Sequence, residues 1–161
     1  MSAVRPDAAL LAAISQLNAE YARAIDDDRL EDWPAFFDDE CLYTITSADN
    51  QRRGQRVGLI YADSKGMLHD RVAALREANI YERQTYRHIV GLPALLGSAG
   101  GLARSETPFL VVRIMRDGRM DLFATGRYLD CLVETAGALR FRERVVVCDG
   151  SRVDTLLAIP L

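Results

Sequence analysis

Helical spacing dominates the first part of the chain. Apolar side chains recur at Leu10, Leu11, Ile14, Leu17, Tyr21, Ala24 and Ile25, three and four residues apart, which puts them on one helix face. Pro6 and Asp7 suit the start of this helix. Asp26, Asp27 and Asp28 should end it, because adjacent acids at a helix C-terminus oppose its dipole, and they read as a solvated cap region. A shorter helix fits Leu30 to Phe37, with Trp33, Phe36 and Phe37 inward and Pro34 tolerated in the first turn. At Cys41 the period drops to two. Cys41, Tyr43 and Ile45 alternate with Leu42, Thr44 and Thr46, which predicts a strand. The polar stretch Ser47 to Gly58 reads as a loop, and Gly58 to Ala62 is a short apolar piece of unassigned type. Ser64 is a candidate N-cap for a third helix carrying Met67, Leu68, Val72 and Leu75 and ending near Glu77 to Ile80.

The second half reads as strands. Tyr86 to Leu92 opens it, and Leu95 to Gly101 is a glycine-containing break. Leu102 to Arg116 is a long strand with Pro108 inside it, which argues for an edge, a bulge or two shorter strands. Asp117-Gly118 signals a hairpin turn, and Met120 to Glu134 is the return strand. After a turn at Gly137, strict alternation puts Leu139, Phe141, Glu143, Val145 and Val147 on one face. Val153, Thr155, Leu157 and Ile159 alternate in a last strand. Helices first and a strand meander afterwards predict an α+β fold, with three helices packed on a strongly curved sheet. Without a repeat or a linker, residues 1–161 are expected to form a single domain.

Composition narrows the class. Of 161 residues, 49% are apolar and 27% charged, the balance of a globular domain. Twenty Lys plus Arg against 23 Asp plus Glu give a net charge of -3, which predicts no nucleic-acid partner. Lys65 is the sole lysine, so arginine supplies nearly all the positive charge, a bias that suits fixed bidentate ion pairs at interfaces and that high genomic GC content produces equally well without any function. Cys41, Cys131 and Cys148 are widely spaced and odd in number, which fits a reducing cytoplasm. Neither a secretion leader nor a membrane span is expected.

Most recognisable chemistry is missing. The chain has no Walker loop, dinucleotide fingerprint, HExxH or Gly-x-Ser-x-Gly. A Rieske centre takes paired Cys and His ligands from compact loops, whereas this chain has isolated cysteines and only His69 and His88. A site of two histidines and one carboxylate, such as Asp70, is formally open but nothing in the pattern orients it. His69 or His88 acting as general base would make a stand-alone isomerase or dehydratase, the alternative reading. Asp70 makes a poor orienter for His69, because adjacent helical residues do not face each other. Asp70 and Arg71 suit an ion-paired brace between helix and sheet. Arg127 shares a strand face with Leu129 and Cys131, an unusual place for a solvated charge, which leaves an interface role, a buried pair and simple exposure all open.

The combination of Met67-Leu68-His69-Asp70-Arg71-Val72, Tyr86-Arg87-His88 and Gly126-Arg127-Tyr128-Leu129-Asp130, in that order and spacing, resembles the small (beta) subunit of bacterial aromatic-ring-hydroxylating dioxygenases, the Rieske non-haem iron oxygenases. Tyr21 to Asp26, Trp33, Phe36, Phe37, Asp39 to Tyr43 and Leu139 to Arg144 extend the likeness, which runs from about Leu17 to Leu161. The resemblance implies the cone-shaped fold of nuclear transport factor two and scytalone dehydratase. It implies a non-catalytic chain with no cofactor of its own, beside a large (alpha) subunit that carries the Rieske [2Fe-2S] cluster and the mononuclear iron, commonly as α3β3. Electrons then come from NADH through a reductase, often with a ferredoxin. Thr46 to Gly54 and Asn79 to Glu82 look most like small subunits of enzymes acting on aromatic carboxylates such as anthranilate, salicylate or terephthalate. Carried over by position, Asp70, Arg71, His88, Arg127, Tyr128 and Asp130 are interface or structural residues and none is catalytic.

Overall fold

A computed structural model describes residues 7–55, 58, 60–78, 84–150 and 159–161. The long helix α1 (Ala8–Asp26) starts at Asp7, whose carboxylate accepts the Ala9 and Leu10 amides at 3.0 and 3.2 Å. Its apolar stripe of Ile14, Leu17, Tyr21, Ala24 and Ile25 is buried as the spacing predicts. Past its end Asp28 takes a left-handed φ of 57°, and Arg76 grips its carboxylate and its carbonyl. Leu30–Phe36 is a 3₁₀ segment rather than an α-helix, because Pro34 has no N–H to return to Leu30, and Phe37 already belongs to the first strand.

That strand, β1 (Phe37–Ser47), is longer than the alternation predicts, and it runs into a short helix, α2 (Ala48–Arg52), where a loop was expected. Ser47 caps α2 through its side chain, a signal hidden in a polar stretch. β2 (Ile60–Ala62) and α3 (Lys65–Glu77) follow, with Ser64 capping α3 by accepting the Met67 amide at 3.2 Å. Leu68 and Val72 are buried, but Met67 points out. Then come β3 (Gln84–Val90), β4 (Ala94–Ala99), β5 (Leu102–Met115), β6 (Met120–Thr135) and β7 (Ala138–Cys148). β4 occupies the expected break. The proposed last strand, apart from Ile159, lies outside the described residues.

The sheet order is β2-β1-β7-β6-β5-β3, with β4 also on β5. β1 pairs β7 in parallel and the other pairs are antiparallel, so the sheet is mixed, curved and unclosed. Pro108 is neither on an edge nor between two separate strands. β4 covers β5 as far as Glu106 and β3 takes over at Phe109, so the missing N–H of Pro108 falls between them, while its carbonyl still accepts the Gly91 amide at 2.8 Å.

A bulge at Arg142 shifts the register of β7 against both neighbours, since Glu143 pairs Cys131 and Phe141 pairs Leu132. Asp38 holds the bulge by accepting from Arg142 Nη2 at 3.0 Å and from the Thr135 hydroxyl at 3.0 Å. Past it the faces swap. Phe141 and then Arg144, Val146 and Cys148 face the core, so the predicted single face of Leu139, Phe141, Glu143, Val145 and Val147 is corrected.

α1 and the 3₁₀ segment lie over the concave side of the sheet, and the core fills the space between. Trp33, Phe37, Tyr43, Tyr21 and Phe141 meet there edge to face, with ring centroids 5.0 to 6.3 Å apart. Ile159 and Leu161 are buried in the same core. The Tyr21 hydroxyl donates to the Leu161 carbonyl at 2.8 Å, and the Tyr43 hydroxyl contacts both the carbonyl and the amide of Leu161 at 3.1 Å.

Candidate functional site

The register sets Ser105, Asp130, Arg144 and Tyr43 in one row across β5, β6, β7 and β1. All four face the core and are buried. Arg144 Nε and Nη2 each donate to Asp130 at 2.8 Å, and Nη2 also reaches Asn18 Oδ1 on α1. Asn18 in turn donates to the Thr107 hydroxyl on β5 at 3.3 Å. The guanidinium carbon lies 3.9 Å from the ring centroids of Tyr128 and Phe141 and 4.4 Å from that of Tyr21. A cation is tolerable at zero exposure only with such partners. Burial works against its charge, but Asp130 outweighs this and holds the guanidinium more firmly protonated than a free arginine. Burial also raises the pKa values of Tyr21, Tyr43 and Tyr128, which keeps their hydroxyls protonated. Sequence reasoning missed Arg144, because strict alternation put it on the outer face. The alternating charges from Arg140 to Arg144 were the available signal, and the bulge was not legible.

A second polar unit joins α1 to β3. The carboxylate of Asp26 accepts the His88 amide at 2.9 Å and meets His88 Nδ1 at 2.6 Å, so Nδ1 carries a hydrogen. Arg87 Nη1 stands 3.8 Å from the same carboxylate. Asp26, read as part of a solvated cap, is 3% exposed at its side chain, and the His88 side chain is 0% exposed. A carboxylate holding one imidazole nitrogen is the geometry of a general-base dyad. Here the other nitrogen, Nε2, is buried with no hydrogen-bond partner among the described residues, and the ring lies beside Tyr86. Both side chains are shut off from solvent, and the pair links the end of α1 to β3.

The remaining candidates scatter. Tyr128 is buried and stacks on Phe109 at 4.4 Å, on the opposite face of β6 from Arg127. Arg127 is on the outer face, about half exposed, with Nη1 3.9 Å from Glu106 Oε1. His69 and Asp70 are exposed on α3. Asp70 and the half-buried Arg71 line an apolar groove of about 470 Å³ together with Tyr61, Met67, Ala74 and Leu75. A second groove of about 340 Å³, lined by Leu42, Thr44, Gln51, Tyr61 and Glu143, lies beside α2.

The donor set does not fit an iron–sulfur or mononuclear iron centre. Cys131 and Cys148 face opposite sides of the sheet, His88 Nδ1 is held by Asp26, and His69 lies apart on α3. Among the described residues no three His, Cys, Asp or Glu side chains are grouped to hold a metal ion. No described helix is long and apolar enough to cross a membrane.

Helices over a curved, unclosed sheet, with aromatic rings and a caged arginine filling the cone, define an α+β fold of the nuclear-transport-factor-two type. Within that class the chain belongs to the ring-hydroxylating beta subunits, whose family model matches residues 20–155. It is 49% identical over 148 residues, 92% of this chain and 96% of the relative, to a beta subunit of the terminal oxygenase component of terephthalate 1,2-dioxygenase from Comamonas. It is 38% identical over 148 residues, 92% of each chain, to the anthranilate 1,2-dioxygenase small subunit of Burkholderia cepacia. A solved beta subunit from Novosphingobium aromaticivorans, assigned to an aromatic-ring-hydroxylating dioxygenase, superposes with a TM-score of 0.88 at 37% identity, covering 95% of this chain and 97% of that one. The chain is therefore the small, structural subunit of a ring-hydroxylating dioxygenase complex.

Proposed function

We propose that the chain shapes and stabilises the iron-bearing large subunit of an oxygenase that adds O2 to an aromatic carboxylate. One observation carries the substrate class: the relatives at 49% and 38% identity, matched over nine-tenths of both chains, belong to terephthalate and anthranilate dioxygenases, and both compounds are aromatic carboxylates. In this reading the large subunit holds the Rieske cluster and the mononuclear iron, and the assembly is α3β3 in the cytoplasm. A reductase, with or without a ferredoxin, delivers electrons from NADH. The small chain works as one domain and has no residue touching the substrate. His88, Tyr128 and Asp130 hold the cone in shape from inside, while Asp70, Arg71 and Arg127 serve contacts from outside.

Co-expression with the large subunit encoded beside it tests this reading. The expected result is a brown complex with all its iron in the large chain, turning over terephthalate or anthranilate when a reductase and NADH are supplied. Two results would overturn it. One is stoichiometric iron in the isolated small chain. The other is turnover of an aromatic acid by that chain alone, lost in His69→Ala or His88→Ala.

A further inference from the structure

One half-buried carboxylate of the sheet has no partner. The register sets Glu143 of β7 between Leu42 of β1 and Cys131 of β6, and neither is a cation. Its neighbours in β7, Arg142 and Arg144, are already paired with Asp38 and Asp130. Among the described residues the Glu143 side chain makes no hydrogen bond or ion pair. A carboxylate that loses solvation without gaining a cation or a donor is unfavourable.

Glu143 lines the groove of about 340 Å³ beside α2, and it is the one charged side chain among the described residues there. That volume is in the range of small-molecule sites. The floor follows β1 from Leu42, level with Glu143, to Thr46, four residues or about 13 Å along an extended strand. Leu42, Val145 and the Tyr61 ring give the groove an apolar middle. Thr44 donates its hydroxyl hydrogen to the Ile60 carbonyl at 2.9 Å and so offers only oxygen lone pairs. At the far end α2 folds back over β1 and β7. Thr46 lies there, 4% exposed, and its hydroxyl has no hydrogen-bond partner. A buried hydroxyl left unpaired is costly, so it too calls for a partner. A carboxylate and a hydroxyl, both unmatched, thus stand at opposite ends of one groove with apolar walls between them. An anion would be repelled by Glu143, and a wholly apolar molecule would leave both ends unmatched. We infer that this groove binds one small elongated organic cation: an alkylammonium whose charged head meets Glu143 and whose polar far end meets Thr46.

The test titrates the full-length chain with aminohexanol, an amine and a hydroxyl at opposite ends of a six-carbon chain. Amide signals of Leu42–Thr46 and Glu143–Val147 are followed by NMR, with hexylamine and hexanoate as comparison ligands. Saturable shifts confined to these amides are expected with both amines, weakened by salt, and none with hexanoate. Glu143→Gln keeps the size of the side chain and should weaken both amines by about tenfold or more. Thr46→Val should weaken aminohexanol by about threefold or more and leave hexylamine, which has no hydroxyl, unchanged. Melting temperatures of both variants check that the fold is intact. The site is overturned by equal binding of hexanoate, by unaltered binding to Glu143→Gln, or by no saturable shift in the wild type at all. An equal effect of Thr46→Val on the two amines overturns the placement of the polar end. Binding that is lost when the chain is assembled with its large subunit overturns a free molecule as the occupant, because a side chain of that subunit then fills the groove.

Discussion

Asp130 and Arg144 meet side-on across β6 and β7, joined by two hydrogen bonds of 2.8 Å, and neither side chain has any exposed surface. The pair is buried between the sheet and α1. Three aromatic rings and Asn18 complete the cage. The charge therefore closes the interior, and α1 is fastened to the sheet through Asn18 and Thr107.

Breaking that pair on one side should be costly. Asp130→Asn leaves a buried cation with a neutral neighbour, and Arg144→Met leaves a buried carboxylate. Each is expected to lose about 3–5 kcal/mol in urea unfolding, whereas replacing both partners by apolar residues recovers much of the loss. A cost below about 1 kcal/mol for Asp130→Asn would show that the cage does not depend on the charge.

Gly126 is a position where only glycine fits. A Cβ there would lie 2.0 Å from the Val147 carbonyl oxygen and 2.9 Å from its carbon, both main-chain atoms that cannot swing aside. Gly126→Ala should therefore separate β6 from β7 or prevent folding, visible as a large drop in melting temperature. Gly97→Ala is the control, because nothing lies within 4 Å of its added methyl, and it should change stability by less than about 1 kcal/mol.

The elements that alternate or repeat strictly were legible in the sequence. α1, α3 with its Ser64 cap, β5 and the Asp117-Gly118 hairpin all lie where the pattern puts them. Failures cluster where the backbone departs from its period. The bulge at Arg142 inverted the reading of β7 and hid Arg144, because one extra residue moves every later side chain to the other face. Asp26 looked like a cap residue, and only the fold brings His88, 62 positions away, to its carboxylate. Of the six residues singled out, Tyr128, Asp130 and His88 share the interior, while Asp70, Arg71 and Arg127 do not join them.

Acid should loosen the contact between α3 and the 3₁₀ segment. Arg76 hydrogen-bonds Glu31 at 2.7 and 2.9 Å and lowers its pKa from an ordinary 4.5 to about 2. A depressed carboxyl pKa contributes stability that is complete above the unfolded value and lost as pH falls through the folded one. The contribution thus fades between about pH 4.5 and 2, and Glu31→Gln should flatten that part of the stability curve. Both side chains are substantially exposed, so high salt should shrink the difference between wild type and variant. A wild-type acid limb identical to that of Glu31→Gln would refute the link.

The last relationship to test is the clasp between Asp26 and His88. One carboxylate satisfies two donors of His88, its amide at 2.9 Å and its ring Nδ1 at 2.6 Å. Asp26→Ala leaves both buried donors without an acceptor, and each orphan costs about 1–3 kcal/mol. Because α1 packs on β3 here, the damage should be local, with faster amide exchange in Gln84–Val90 and at the C-terminal turn of α1 than elsewhere. His88→Gln keeps the main-chain amide and should recover part of the protection lost in His88→Ala. If the clasp is purely a brace, assembled oxygenase containing Asp26→Asn should keep the wild-type KM and pH profile at whatever fraction of complex survives. A shifted pH profile at constant assembly would instead mean that this imidazole communicates with the reaction, and the brace reading would fall.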